Sequence, residues 1–134
     1  VKNPLRLAVL AILALVGALL LAGCSGSSSV QAVGPQDFLT KADGPGVVVV
    51  DVRTAGEYAA GHVEGAINID VEAPTFDDQI ATLDKAATYA VYCHSGRRSG
   101  LATDAMGKAG FTSVYNLEGG IADLQAAGAT IVAG

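Results

Sequence analysis

A chain of 134 residues, half of them hydrophobic, has room for one small domain once any leader is set aside. Thirteen acids against eight Lys and Arg leave a formal net charge of −5 with no basic stripe, which argues against nucleic acid and against electrostatic adhesion to anionic lipid. Two cysteines and two histidines, scattered along the chain, are too few for a zinc pattern, so neither a metal nor a cofactor is expected.

Lys2 and Arg6 precede an apolar run from Leu7 to Ala22. The run is short for a membrane-spanning helix and ends in small residues, and Leu21-Ala22-Gly23-Cys24 matches a bacterial lipobox. Residues 1–23 are therefore expected to be a cleaved lipoprotein signal peptide, with Cys24 as the lipidated residue. An uncleaved transmembrane anchor is the competing reading. Residues 24–29, the lipidated Cys and a Ser/Gly stretch, read as a flexible tether, and residues 30–134 as the folded domain. The expected location is extracytoplasmic, lipid-anchored to the bacterial cell membrane. No acid lies in the leader, so its removal takes the net charge from −5 to −7.

Within the folded part a short strand is expected at Val30–Val33 and a helix at Pro35–Ala42. Val47-Val48-Val49-Val50 is a β-branched run of the kind buried on both faces of a sheet. Thr54-Ala55-Gly56-Glu57 reads as a capping box opening a helix, and Ala66–Ile69 as the next strand. Thr75 opens another helix, with Phe76, Ile80 and Leu83 on one face. Ala87–Tyr92 makes a strand that runs into Cys93-His94-Ser95-Gly96-Arg97-Arg98-Ser99. A helix from about Arg97 is expected to bury Leu101, Ala102, Ala105, Met106 and Ala109 and to stop at Gly110. Thr112–Asn116 and Gly120–Ala127 complete the pattern as strand and helix. Alternation of strand and helix means an α/β fold with a parallel sheet, whose ligand sites belong at the carboxyl ends of the strands.

Cys93 falls at such an end. A cysteine between a strand end and a helix start lies among unpaired backbone N–H groups at the positive end of the helix dipole, which favours the thiolate, and Arg97 and Arg98 add to the effect. The polar run after Cys93 is unlike the apolar surroundings of an inert core cysteine. The same cradle suits a small oxyanion, with Gly96 letting the loop turn so that successive N–H groups converge. If Cys24 is committed to lipid, Cys93 has no partner thiol in the chain, and whatever it carries must pass to an external acceptor.

The Cys-x-x-Gly-x-Arg-Ser spacing resembles the active-site loop of rhodanese domains. Two further stretches strengthen the likeness. Asp51-Val52-Arg53, Glu57-Tyr58 and Gly61-His62-Val63-Glu64-Gly65-Ala66-Ile67-Asn68 are similar to one signature of that family, and Leu117-Glu118-Gly119-Gly120-Ile121 to another. The likeness runs from about Val30 to the C-terminus. One departure is Leu124, where many members place a Trp; this chain has none.

The resemblance implies a three-layer fold, with a central parallel sheet of about five strands and helices on both faces. It implies a sulfurtransferase in which Cys93 takes a sulfane sulfur from thiosulfate or a similar donor, releases sulfite, and passes the sulfur to cyanide or a thiol, a thioredoxin-like acceptor included. His94, Ser95, Gly96, Arg97 and Arg98 would form the substrate-binding loop, with Arg98 closing it and Arg97 at the pocket rim. Asp51, Arg53, Glu57 and His62 read as structural residues beside the site. A persulfide carrier that loads once is the runner-up. A Cdc25-like cysteine phosphatase or arsenate reductase is less favoured, because four residues separate Cys93 from Arg98 where those enzymes place five.

Overall fold

The computed structural model describes residues 28–134. The expected signal peptide at 1–23, Cys24 and most of the tether lie outside the described residues. Among those described, no helix is long and apolar enough to cross a membrane.

The described residues form seven strands: β1 Val30–Val33, β2 Val48–Asp51, β3 His62–Val63, β4 Ile67–Asn68, β5 Thr88–Tyr92, β6 Ser113–Leu117 and β7 Ile131–Val132. Five of them make one parallel sheet in the order β1-β6-β5-β2-β4. The helices are α1 Pro35–Ala42, α2 Ala55–Ala60, α3 Phe76–Ala81, α4 Arg97–Lys108 and α5 Ile121–Ala126. The expected three-layer α/β arrangement with five parallel strands is what forms.

β5 shows how the sequence builds three layers. Successive side chains of a strand point to opposite faces, and all of Tyr89, Ala90, Val91 and Tyr92 are buried. Tyr89, Val91 and then Cys93 join a cluster with Phe76 and Ile80 of α3 and Ala102 and Met106 of α4. Ala90 and Tyr92 join the opposite cluster with Phe38 of α1 and Leu124 of α5. Full burial of a side chain such as Phe38 or Leu124 is worth about 1.5–3 kcal/mol. Leu124, at the place where the resemblance leads one to look for Trp, is thus a core residue on the inner side of α5.

Three details differ from the sequence reading. Leu101, expected on the buried face of α4, is 55% exposed. The buried stripe is Ser99, Ala102, Thr103 and Met106, spaced as one helical face, and it contains two hydroxyl residues. Both turn back on their own helix: Ser99 Oγ donates to the Gly96 carbonyl at 3.1 Å and Thr103 Oγ1 to the Gly100 carbonyl at 3.3 Å. Their polarity is thereby satisfied and they pack as small residues. Secondly, the Thr54–Glu57 box is half formed. The Glu57 N–H donates to Thr54 Oγ1 at 3.3 Å, but the Glu57 carboxylate is drawn to Arg98. Thirdly, β3 and β7 pair antiparallel as a small second sheet, with His62 opposite Val132 and Val63 opposite Ile131. Two-residue strands carry no periodicity for a sequence pattern to show.

Candidate active site

Cys93 directly follows β5 at the centre of the sheet, and Arg97 opens α4, so the loop crosses the carboxyl end of the most buried strand. The chain turns at Gly96, whose φ of 102° is a left-handed conformation that side chains disfavour. That turn aims the Gly96 N–H at Cys93 Sγ, 3.0 Å away.

Cys93 is 1% exposed. Burial is the largest single influence on its thiol and pushes the pKa up. Hydrogen bonds from the Ser99 hydroxyl and from the backbone N–H groups of Ser99, Gly96 and Ser95 together outweigh burial, and the pKa is lowered. The Ser99 hydroxyl, which donates to the Gly96 carbonyl at 3.1 Å, also lies near the sulfur. This is a thiol prepared to be a thiolate, in a loop whose amides converge on one point.

The loop is held from both sides. After β6, Gly119 and Gly120 lie flat against it, and the Ile121 N–H donates to the Cys93 carbonyl at 3.0 Å. A Cβ on Gly120 would overlap the His94 carbonyl oxygen, and one on Gly96 would come within 3.3 Å of the Gly119 carbonyl. Gly120 is there because backbone meets backbone, and Gly119 because its φ is 112° and a Cβ would meet the Asp123 carboxylate at 2.6 Å. Asp123 secures them by accepting from the Gly120 N–H at 2.8 Å.

From the other side Glu57 of α2 receives Arg98 as a fork, Nη1 to Oε1 at 2.7 Å and Nη2 to Oε2 at 2.9 Å. Arg98 holds the carboxyl of Glu57 down at about 2, with Thr54 assisting, and Glu57 in turn raises the pKa of Arg98. Arg98 is thus committed to fastening the loop to α2. Arg97 is 70% exposed in its side chain at the mouth of the loop, and His94 and Ser95 are also exposed.

Beneath these lies a buried charge network. The Asp51 carboxylate accepts from Arg53 Nη2 at 2.6 Å, from the Arg53 N–H at 2.9 Å and from the Tyr92 hydroxyl at 2.8 Å. The Tyr92 hydroxyl accepts from the Val63 N–H at 2.9 Å, and Arg53 also donates to the Gly61 carbonyl at 2.6 Å. Buried charges persist only when paired and hydrogen-bonded in this way. The network ties β2, β3 and β5 together directly below the loop. His62 stacks on Tyr58 at 3.7 Å between ring centroids, with Nδ1 2.9 Å from the Tyr58 carbonyl. Asp51, Arg53, Glu57 and His62 therefore surround the loop, and their hydrogen bonds go to one another, to backbone and to the side chains of Tyr92, Thr54 and Arg98.

Two residues with a place in this geometry were given no role from the sequence. Ser99, the last residue of the loop motif, supplies a hydroxyl to Cys93. Tyr92, which reads as plain strand, carries the hydroxyl that joins Asp51 to β3. Beside the loop is an open cleft of about 390 Å³ whose lining includes His94, Ile121, Gln125 and Ile131. Among the described residues no three His, Cys, Asp or Glu side chains gather as metal ligands would.

Comparison with known proteins gives a consistent picture. Residues 34–127 match the model of the rhodanese-like domain family. The chain is 42% identical over 77 residues to thiosulfate sulfurtransferase PspE of Escherichia coli, an alignment covering 56% of this chain and 71% of that protein. It is 37% identical over 93 residues to the tRNA uridine(34) hydroxylase of Acaryochloris marina, covering 66% of this chain and 30% of the hydroxylase. Among solved structures, the Alr3790 protein from Anabaena superposes with a TM-score of 0.68 at 25% identity, over 75% of this chain and 91% of that one. On sequence, fold and the matched span together, the chain belongs to the rhodanese-like domain family.

Proposed function

We propose that the chain is a sulfurtransferase that moves a sulfane sulfur through a persulfide on Cys93. The observation that carries this reading is the placement of Cys93 at the carboxyl end of β5, in a loop that turns its Gly96 N–H onto the sulfur at 3.0 Å. The likeness to a thiosulfate sulfurtransferase supports the reaction class. The Cys93 thiolate attacks the outer sulfur of thiosulfate; a new S–S bond forms, the old one breaks, and the electron pair leaves with sulfite. Cyanide or a thiolate then attacks the terminal sulfur, taking it as thiocyanate or a new persulfide and restoring the Cys93 thiolate. Dividing the transfer into two displacements suits a low-pKa thiol, which is both nucleophile and leaving group. The loop amides from His94 to Arg98 stabilise the departing sulfite and the anionic persulfide. No proton donor is required, so His94 serves as a wall of the cleft.

The lipobox at Cys24 and the serine tether support placing this activity on the extracytoplasmic side of a bacterial membrane, on a lipid anchor. Intact mass spectrometry tests the chemistry. Thiosulfate should add one sulfur, located on Cys93, and cyanide should remove it with release of thiocyanate. Continuous thiocyanate production distinguishes an enzyme from a carrier, which loads once and stalls. Absence of a sulfur adduct with every sulfane donor tried would overturn the reading.

A further inference from the structure

Arg97 and Arg98 face two carboxylates, one of which stands outside the framework that fastens the loop. Glu57 grips Arg98 in a tight fork. Glu72 comes instead from the turn between β4 and α3, and its oxygens lie 3.7 Å from Arg97 Nη2 and 3.6 Å from Arg98 Nη1. The turn that presents it is well built. The Glu72 N–H donates to Asp70 Oδ1 at 2.9 Å, and the Ala73 N–H donates to the Asp70 carbonyl at 3.2 Å. The Val71 N–H donates to the Val52 carbonyl at 3.2 Å, and the Val71 side chain packs on the cluster that contains Cys93. The backbone at Glu72 is therefore anchored to the end of β2 while its half-exposed carboxylate spans both arginines.

Contacts this long and this exposed add little to folding. They do set the field at the loop mouth, where two guanidinium groups are matched by two carboxylates. An anion approaching Cys93 meets a formally neutral entrance. We infer that Glu72 is a specificity-determining residue of this site. It offsets the charge of Arg97 toward incoming substrate, so that singly charged sulfane donors such as thiosulfonates compete with the doubly charged ones that an uncompensated Arg97 would select. The inference rests on the reading of this loop as a site for sulfur anions, and its first test does not require sulfur transfer.

That test is the rate at which Cys93 of the full chain is alkylated by iodoacetate, an anion, relative to iodoacetamide, which is neutral, with the modified residue located by peptide mass spectrometry. In both reactions the thiolate displaces iodide, so any change in thiol pKa cancels in the ratio. Glu72→Gln should raise the ratio about threefold at low ionic strength. The gain should vanish near ~1 M salt, where the screening length is about 3 Å. Asp84→Asn makes the same charge change at the opposite end of β5 and should leave the ratio as it is. An unchanged ratio in Glu72→Gln, or an equal rise in Asp84→Asn, overturns the inference whatever the chain's activity. In steady-state sulfur transfer, Glu72→Gln should lower KM about fivefold for thiosulfate and about twofold for a monoanionic thiosulfonate, with kcat steady. Equal changes for the two donors, or a fall in kcat instead, would count against it. Loss of sulfur transfer in the wild-type chain would overturn the functional reading while the alkylation ratio still decides the role of Glu72.

Discussion

At position 93 a serine would occupy nearly the same space and accept the same hydrogen bond from the Gly96 N–H, yet its hydroxyl does not ionise in the range where the thiol does. Cys93→Ser should keep its thermal midpoint close to wild type and fall below detection in thiocyanate formation. Glu57 offers a second test at this scale, through pH. Its carboxyl is held at about 2 against an ordinary 4.5, by the Arg98 fork first and Thr54 after it. A depressed carboxyl stabilises the fold fully above the unfolded value and loses that contribution as pH falls through the folded value. The stability gap between wild type and Glu57→Gln should accordingly be level from neutrality down to about 4.5 and close between there and about 2. Acid titrations followed by circular dichroism read this directly; a gap independent of pH would mean that Glu57 acts through shape alone. Glu57 is also where local sequence logic was incomplete. A capping box is a contest between the helix end and whatever else the carboxylate can reach, and Arg98, 41 residues away, wins it here.

Elements were legible where periodicity was strong and obscure where chemistry disguised it. The five parallel strands and the helices between them follow from β-branched runs, caps and glycine stops. The buried face of α4 does not, because a hydropathy pattern counts Ser99 and Thr103 as surface and Leu101 as core, whereas intrahelical hydrogen bonds let the two hydroxyls pack inside and Leu101 falls on the outer face. Truncating Met106 to Ala should therefore cost about 2–5 kcal/mol in denaturant unfolding, whereas Leu101→Gln should leave the midpoint almost where it is. The loop motif was plain in the sequence, but the reason for the distant Gly120 was not, since a close approach of two backbones leaves no mark on local pattern. Gly120→Ala tests it. With the His94 carbonyl in the space of the new methyl, the loop must shift, and sulfur loading of Cys93 should drop sharply while far-ultraviolet dichroism changes little. Wild-type loading in that variant would show the segment to be yielding.

For the molecule as a whole, the anchor and the catalytic domain are separable in the proposed arrangement. A diacylglyceryl group on Cys24, worth ~0.8 kcal/mol per buried CH₂, would hold the domain at a membrane surface where a single chain is marginal. Cys24→Ala should lose labelling by a fatty-acid analogue and leave turnover per folded domain unchanged, because the site residues named above all lie between Asp51 and Ile131. Equal label on wild type and variant would remove the lipoprotein reading in favour of an uncleaved anchor. The sheet order has a further consequence, for how the chain reaches its native state. Among the described residues β1 lies on an edge and pairs only with β6, so it has no neighbour until nearly the whole domain has been made. Contacts this distant in sequence are slow to close, and the unpaired edge stays open to wrong partners meanwhile. A chain that crossed a membrane unfolded to reach the proposed extracytoplasmic location would release all its strands together on the far side, and the wait imposed on β1 would be over before folding began.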